Sequence, residues 1–400
     1  MDDDSLDRSV ALHPLTYLAD GDEVTVGRLD IDSYAVLPAD GAALVRRLAS
    51  GVTPREAADW YQQTYGEQVD ILDMLGALDE LGFVRADGQP AATAAPVRWQ
   101  RLGRALFSVP AWLCYGLLVT AALVAMVRSP RLVPHYQDLF FTRSFTVVEL
   151  VTFVGQFPFL LVHEWFHTMA GRRLGLRSRL SIGHRLYFIV FETALDGLVT
   201  VPRRRRILPI VAGMVADVLV MAVLVLTAAA TRMPDGTLSV VGRLCMALAY
   251  GTLLRLIWQL YFYLRTDLYI LATTALGCVD LHTVAKGVLG NAVRRLLGRP
   301  LLDESSWHPT DRAVARWYAW LMLAGYLATI GTFVIVVVPT GYLFLSGVLG
   351  RFFNPGNSFG ALLDSGIFVG LNVAQILLIV VLNIRDRRRR RTTSFQHVVG

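Results

Sequence analysis

The residues His163 to His167 form the pattern H-E-x-x-H, whose residue types and spacing suit metal-dependent hydrolysis. Two residues four positions apart share one face of a helix, so both imidazoles can reach one metal ion. Glu164 lies beside them and can take a proton from a water held at that ion. Zinc is the usual occupant, with a third protein ligand and one open position. The pattern predicts one zinc ion per chain; the plain alternative is two helix-end histidines satisfied by neighbouring groups.

The histidine pair lies in an apolar run over residues 145–169 that is long enough to cross a bilayer. Ionisable groups in such a run are costly and therefore candidates for function. The 400 residues are 54% hydrophobic with a mean hydropathy of +0.47. The composition predicts a mainly α, polytopic protein of the cell membrane. We expect about six transmembrane helices, over residues 105–127, 145–169, 207–231, 238–264, 317–345 and 361–384.

A shorter apolar stretch, residues 186–201, is interrupted by Glu192 and Asp196. It is a poor span, and we predict a hairpin or re-entrant segment with these two acidic residues at its tip. The formal charge is +6, carried almost entirely by arginine because Lys286 is the only lysine. Most arginines follow the second, fourth and sixth spans or precede the first span. The positive-inside rule therefore predicts that both termini are cytoplasmic.

Residues 12–85 are predicted to form a small cytoplasmic α+β domain, followed by a linker over residues 86–104. Two short strands at 24–27 and 34–37 precede three helices, giving a winged-helix-like arrangement. Thr53 and Glu56 form a capping box with Pro54 at the first helical position, and Asp70 starts the third helix. No basic stripe follows that helix, so we expect no nucleic-acid partner.

Three segments of this domain, DGAALV at 40–45, TPREAA at 53–58 and LDELGFV at 78–84, resemble the PqqD-like domains of peptide-modifying systems. In that family the domain captures the leader segment of a ribosomally made peptide by β-strand addition. The resemblance implies a peptide partner, whereas a generic winged helix would act as a regulator.

Two aspartates compete for the place of third metal ligand. Asp267 lies just beyond the cytoplasmic end of the fourth span, at the depth where the second span brings the histidines. Asp217 lies about ten residues into the third span, or ~15 Å from its start, which is deeper. We therefore predict Asp267 as the ligand, with Asp217 contacting ligands or water instead. On this basis Asp217→Asn should keep zinc and lose activity only in part.

Residues 145–285, the core of a membrane domain over 105–391, resemble the site-2 protease family of intramembrane zinc metalloproteases. The first match is HEWFH at 163–167, which is followed by AGRRLG at 170–175. The second is AGMVAD at 212–217, where the family has A-G-P-x-x-N. The third is LRTDLY at 264–269, where the family has a D-G turn. Met214, Asp217 and Leu268 depart from the pattern. The resemblance, closest to the "peptide zinc metalloprotease" branch, implies His163, His167 and Asp267 as ligands and Glu164 as general base.

The expected function is zinc-dependent hydrolysis of a membrane-associated or leader-bearing peptide, with a peptide or membrane protein as substrate. One alternative is a catalytically silent membrane receptor or export partner for a modified peptide. Another is regulated proteolysis of an anti-sigma factor, with the front domain as a regulator. Glu164 favours an enzyme, because a silent descendant would have no use for it.

Overall fold

The computed structural model describes residues 6–86, 97–185, 188–353 and 358–396. The chain forms two compact units. The front unit comprises residues 1–108, 166–181 and 192–210, and the span unit comprises 109–165, 182–191 and 211–400. The predicted linker lies partly outside the described residues, and its last residues belong to a helix, α4 (Gln100–Leu106).

The front unit begins with an antiparallel sheet of three strands, β1 (Thr16–Asp20), β2 (Glu23–Arg28) and β3 (Ser33–Pro38), with β2 in the centre. The sequence predicted only β2 and β3. The missed strand pairs Asp20 with Glu23 across the two-residue loop Gly21-Asp22, and Gly21 has the positive φ of +66° that such a loop requires. A Gly-Asp pair between two short apolar runs is itself a hairpin signal in the sequence.

Three helices follow the sheet: α1 (Ala39–Ala49), α2 (Pro54–Tyr65) and α3 (Ile71–Glu80). Both predicted helix starts are confirmed. The Thr53 hydroxyl accepts from the Glu56 backbone N–H while the Glu56 carboxylate accepts from the Thr53 N–H, and Asp70 caps α3. Apolar side chains from these elements, including Val26, Leu48 and Leu75, fill one core together with Phe83, which follows α3.

The predicted hairpin exists, but it begins earlier in the chain than expected. Its strands are β4 (Arg177–Arg185) and β5 (Phe188–Asp196), and residues 186–187 between them lie outside the described part of the chain. The placement of Glu192 and Asp196 at the tip is therefore wrong, because Glu192 lies within β5 and Asp196 ends it. Asp196 instead pairs with Arg179, whose Nη2 lies 3.0 Å from its Oδ1.

The base of this hairpin is bound to the front sheet within the same unit. Gly197 donates its backbone N–H to the Asp32 carboxylate at 3.1 Å, and Arg203 pairs with Asp20 at 2.6 Å. Arg203 is the first residue of α8 (Arg203–Ala230). The sheet therefore holds both the end of the hairpin and the start of the helix that follows it.

The span unit consists mainly of helices, and those described include α5 (Val109–Arg128), α6 (Phe145–Phe153), α7 (Phe157–Arg173), the greater part of α8, α9 (Val240–Trp258), α10 (Asp267–Leu276), α11 (Leu281–Leu296), α12 (Pro309–Thr332), α13 (Val338–Phe353) and α14 (Phe359–Gln396). Within the described residues, six helices, counting α6 and α7 as one, are long and apolar enough to cross a membrane. This agrees with the predicted number. Helices α10 and α11 are a bent pair, at 89°, that would make a seventh span if taken together.

Small residues line the contact between the central spans. Ala222, Val225 and Ala228 of α8 pack against Cys245 and Ala249 of α9, and all are buried. Small side chains let helix backbones approach closely, which is the usual basis of helix packing in a bilayer. This close packing fixes the position of α8, which carries Asp217, against α9, which leads to Asp267.

Candidate metal centre

Helix α7 carries the H-E-x-x-H pattern as predicted, with His163 and His167 one turn apart. His163, Glu164 and His167 are 4%, 6% and 8% exposed. Buried polar side chains need partners, and those of the two histidines come from other helices.

His163 lies between two aspartates. Its Nδ1 is 2.9 Å from Oδ2 of Asp217, and its Nε2 is 3.2 Å from Oδ2 of Asp267. A neutral imidazole has one N–H, and an ionised carboxylate only accepts. Both contacts are therefore favourable only if the ring is charged or if a cation lies between Nε2 and Asp267. The second arrangement is the one a metal ligand adopts.

The other histidine has its tautomer set by the backbone. The His167 Nδ1 lies 2.7 Å from the carbonyl oxygen of Pro209 in α8. A carbonyl oxygen accepts, so Nδ1 carries the proton and Nε2 keeps its lone pair. A hydrogen bond from the far nitrogen to a carbonyl is the usual way in which a protein orients a metal-binding histidine.

Three ligand atoms, one each from His163, His167 and Asp267, lie within 4.8 Å of one another. Nitrogen and oxygen ligands 2.0–2.2 Å from a tetrahedral zinc ion are separated by about 3.3 Å, close to the 3.2 Å between His163 and Asp267. Two imidazoles and one carboxylate are also the donor types of catalytic zinc sites. The residues present therefore fit a zinc ion.

Asp267 is fixed by Gln259, a residue that was not predicted from the sequence. Gln259, the C-cap residue that follows α9, is 6% exposed. Its Nε2 donates to the Asp267 carboxylate at 3.2 Å and its Oε1 accepts from the Asp267 backbone N–H at 3.0 Å. Asp267 is thereby held at both its main chain and its side chain. An amide eight residues before an aspartate gives no signal in the sequence, because the turn that joins them is irregular.

Asp217 has a second partner that was also missed. Arg255 of α9 donates from Nε and Nη2 to Oδ1 of Asp217, at 2.9 and 2.7 Å. Asp217 has no exposed surface. Three acidic side chains, Asp217, Asp267 and Glu164, and one arginine thus carry a formal charge of −2 when ionised, which a divalent cation would balance.

The expectation that Asp217 lies deeper than the histidines is wrong, because Asp217 and Asp267 contact the same imidazole ring. Counting residues along α8 ignores how the helices cross. What distinguishes the aspartates is the nitrogen that each faces: Asp217 faces Nδ1 and Asp267 faces Nε2.

Leu268, which departs from the D-G pattern, does not disturb Asp267. Asp267 is the first residue of α10 and Leu268 the second, so both have helical backbone. The positive φ in this turn, +57°, is at Arg265. A glycine after the aspartate is therefore not required by this backbone.

Comparisons of the chain with protein-family models, with curated proteins and with solved structures found no match. The geometry of the site is therefore the basis on which function is inferred.

Proposed function

We propose that this protein is a membrane-embedded zinc endopeptidase of the site-2-protease kind, which hydrolyses a membrane-associated or leader-bearing peptide during peptide maturation. His163, His167 and Asp267 hold the zinc ion, and Glu164 is the general base. The observation that carries the proposal is the convergence of two imidazole nitrogens and one carboxylate within 4.8 Å, with both histidines in a segment long and apolar enough to span a membrane.

Zinc, when bound, lowers the pKa of a water molecule toward ~7 and polarises the scissile carbonyl group. Glu164 takes a proton from the attacking water on a carboxylate oxygen and delivers it to the amine nitrogen as the carbon–nitrogen bond breaks. Its burial strengthens this role, since electrostatic interactions are larger where water is excluded.

The chain is proposed to lie in the cell membrane with both termini in the cytoplasm. The support is the charge distribution around the six candidate spans. Four arginines open α8 at 203–206, and five more stand at 387–391, whereas the segment between α8 and α9 holds only Arg232. The zinc site then lies toward the cytoplasmic ends of the spans that carry it.

The front domain, residues 12–85, is proposed to dock the substrate peptide. Strands β1 and β3 are the outer strands of its sheet, and an outer strand can pair with an extended peptide. The same unit binds the hairpin base and the start of α8 through Asp32 and Asp20. A docked peptide would therefore be held by the unit that also orients His167.

The test is metal content and proteolysis of the full-length protein purified in detergent. Wild type and Glu164→Gln should each contain about one zinc ion per chain, and His163→Ala should contain little. Membranes of cells that produce the wild type should yield peptides with new termini, and these should be absent with Glu164→Gln.

Equal zinc in wild type and His163→Ala would contradict the metal site. Normal zinc together with identical peptides from wild type and Glu164→Gln would contradict the enzyme and favour the silent receptor.

A further inference from the structure

A buried ion pair links α8 and α9 beside the histidines. Arg255 donates two hydrogen bonds to Oδ1 of Asp217, and Oδ2 of the same carboxylate faces Nδ1 of His163 at 2.9 Å. The Arg255 side chain is 15% exposed and Asp217 is fully buried. Each carboxylate oxygen therefore has its own partner.

The guanidinium of Arg255 is held from a second side by Gln156, at the break between α6 and α7. The Gln156 Oε1 accepts from Arg255 Nη1 at 3.2 Å, and its Nε2 donates to the Leu248 carbonyl at 2.8 Å. An arginine within an apolar span is costly, and such residues are retained where they serve a site. Its contacts lead through Asp217 to His163.

We propose that Arg255 is a positioning residue of the metal centre that acts through Asp217. By occupying Oδ1 it turns Oδ2 toward His163, so that Nδ1 carries the ring proton and Nε2 keeps its lone pair for a metal ion. This inference rests on the proposed metal site, and it assigns to Arg255 a role that no motif in the sequence indicated.

The arrangement changes what Asp217→Asn should do. A carboxylate accepts on both oxygens, whereas an amide has one acceptor and one donor end. With Arg255 present, the amide oxygen can serve Arg255 or His163 but not both. If the amide NH₂ faces His163, then Nδ1 must accept, the ring proton moves to Nε2 and metal binding is blocked. The mild effect expected from the sequence is therefore replaced by a substantial loss.

Removing Arg255 as well should relieve this conflict. Arg255→Met alone leaves a buried carboxylate without its cation, and a buried pair that loses one member is strongly destabilised. In the double variant Asp217→Asn with Arg255→Met, no guanidinium competes for the amide oxygen, which can accept from His163 Nδ1. Metal binding should recover, whereas a role of Arg255 that does not pass through Asp217 predicts no such recovery.

The experiment measures Zn²⁺ affinity of the full-length protein in detergent, by competition with a chromophoric chelator. The absorption spectrum of bound Co²⁺ serves as a second readout of the ligand geometry. Each single variant should bind Zn²⁺ about 10- to 100-fold more weakly than wild type, the range for residues that orient metal ligands. The double variant should bind within a few-fold of wild type and give its Co²⁺ spectrum.

The control is Arg243→Met, on the same helix but exposed and 12 residues away (255 − 243), or about 18 Å. It should bind Zn²⁺ as wild type does; a loss equal to that of Arg255→Met would overturn the inference, because it would show a general failure of α9. Wild-type affinity in Arg255→Met would overturn it, as would a double variant no tighter than Arg255→Met. If the proposed metal site itself were wrong, His163→Ala would bind Zn²⁺ as tightly as wild type does, which distinguishes that failure from failure of the role of Arg255.

Discussion

At the scale of single residues, His163, Glu164 and His167 could be identified from the sequence because their relation is local. Four positions along a helix fix a shared face whatever surrounds it. Their partners could not be identified, because Asp217 is 54 residues from His163 and Arg255 a further 38 from Asp217. Which carboxylate oxygen meets which ring nitrogen depends on how three helices cross, and no spacing in the sequence encodes this.

The two hydrogen bonds between Gln259 and Asp267 give a prediction at this scale. Gln259→Leu removes the donor to the carboxylate and the acceptor for the Asp267 backbone N–H, so the ligand loses its orientation. We expect Zn²⁺ affinity to fall by about tenfold or more, as for other residues that orient metal ligands. The measurement is the same chelator competition, with Gln137→Leu, at an exposed glutamine, as the control. Wild-type affinity in Gln259→Leu would show that Asp267 does not need the hydrogen bonds from Gln259 to bind the metal ion.

At the scale of elements, signals carried by neighbouring residues were reliable. The capping box at Thr53 and the cap at Asp70 gave the starts of α2 and α3 correctly, because a cap is formed by residues two or three positions apart. The strands of the second hairpin were placed less well. Strand β4 contains four charged or imidazole side chains in nine residues and lacks the apolar alternation that indicates a strand. Its pairing with β5, rather than its own composition, makes it a strand.

The hairpin base allows a prediction at this scale. Asp32 has a positive φ of +56° and accepts from the Gly197 N–H. Asp32→Ala removes a hydrogen bond of about 1 kcal/mol and places alanine in a left-handed conformation that costs about 1 kcal/mol. Asp32→Asn keeps an acceptor oxygen and tolerates that conformation. Hydrogen exchange of the peptide containing Gly197 should be at least roughly tenfold faster in Asp32→Ala and near wild type in Asp32→Asn. Unchanged exchange in Asp32→Ala would show that this contact does not hold the base.

At the scale of the whole molecule, the number of helices long and apolar enough to cross a membrane was predictable and their breaks were not. Hydropathy locates runs of apolar residues, and all six predicted spans overlap helices long and apolar enough to cross. It does not reveal that the second span is interrupted at residues 154–156, where Gln156 turns to meet Arg255. It also does not show whether the bent pair α10 and α11 crosses.

Whether the number of spans is even or odd decides on which side of the membrane the C-terminus lies. This number depends on whether α11 crosses. This helix carries Lys286, Arg294 and Arg295, whereas its apolar side chains Leu281 and Val284 pack against α12. A helix with one apolar face and three cations lies at the membrane surface at lower cost than it crosses. We therefore expect α10 and α11 to remain on the cytoplasmic side, giving six spans and two cytoplasmic termini.

Reporter fusions test this topology directly. Green fluorescent protein folds in the cytoplasm, so it should fluoresce when inserted after Arg299 or fused after Gly400. Alkaline phosphatase folds only outside the cytoplasm, so it should be inactive at both positions. Alkaline phosphatase inserted after Pro234, between α8 and α9, should be active and serves as the control. If α10 and α11 formed a seventh span, phosphatase after Gly400 would be active while a fluorescent protein at the N-terminus still fluoresced. That result would also place Asp267, the first residue of α10, at the cytoplasmic end of a broken span rather than in a segment at the membrane surface.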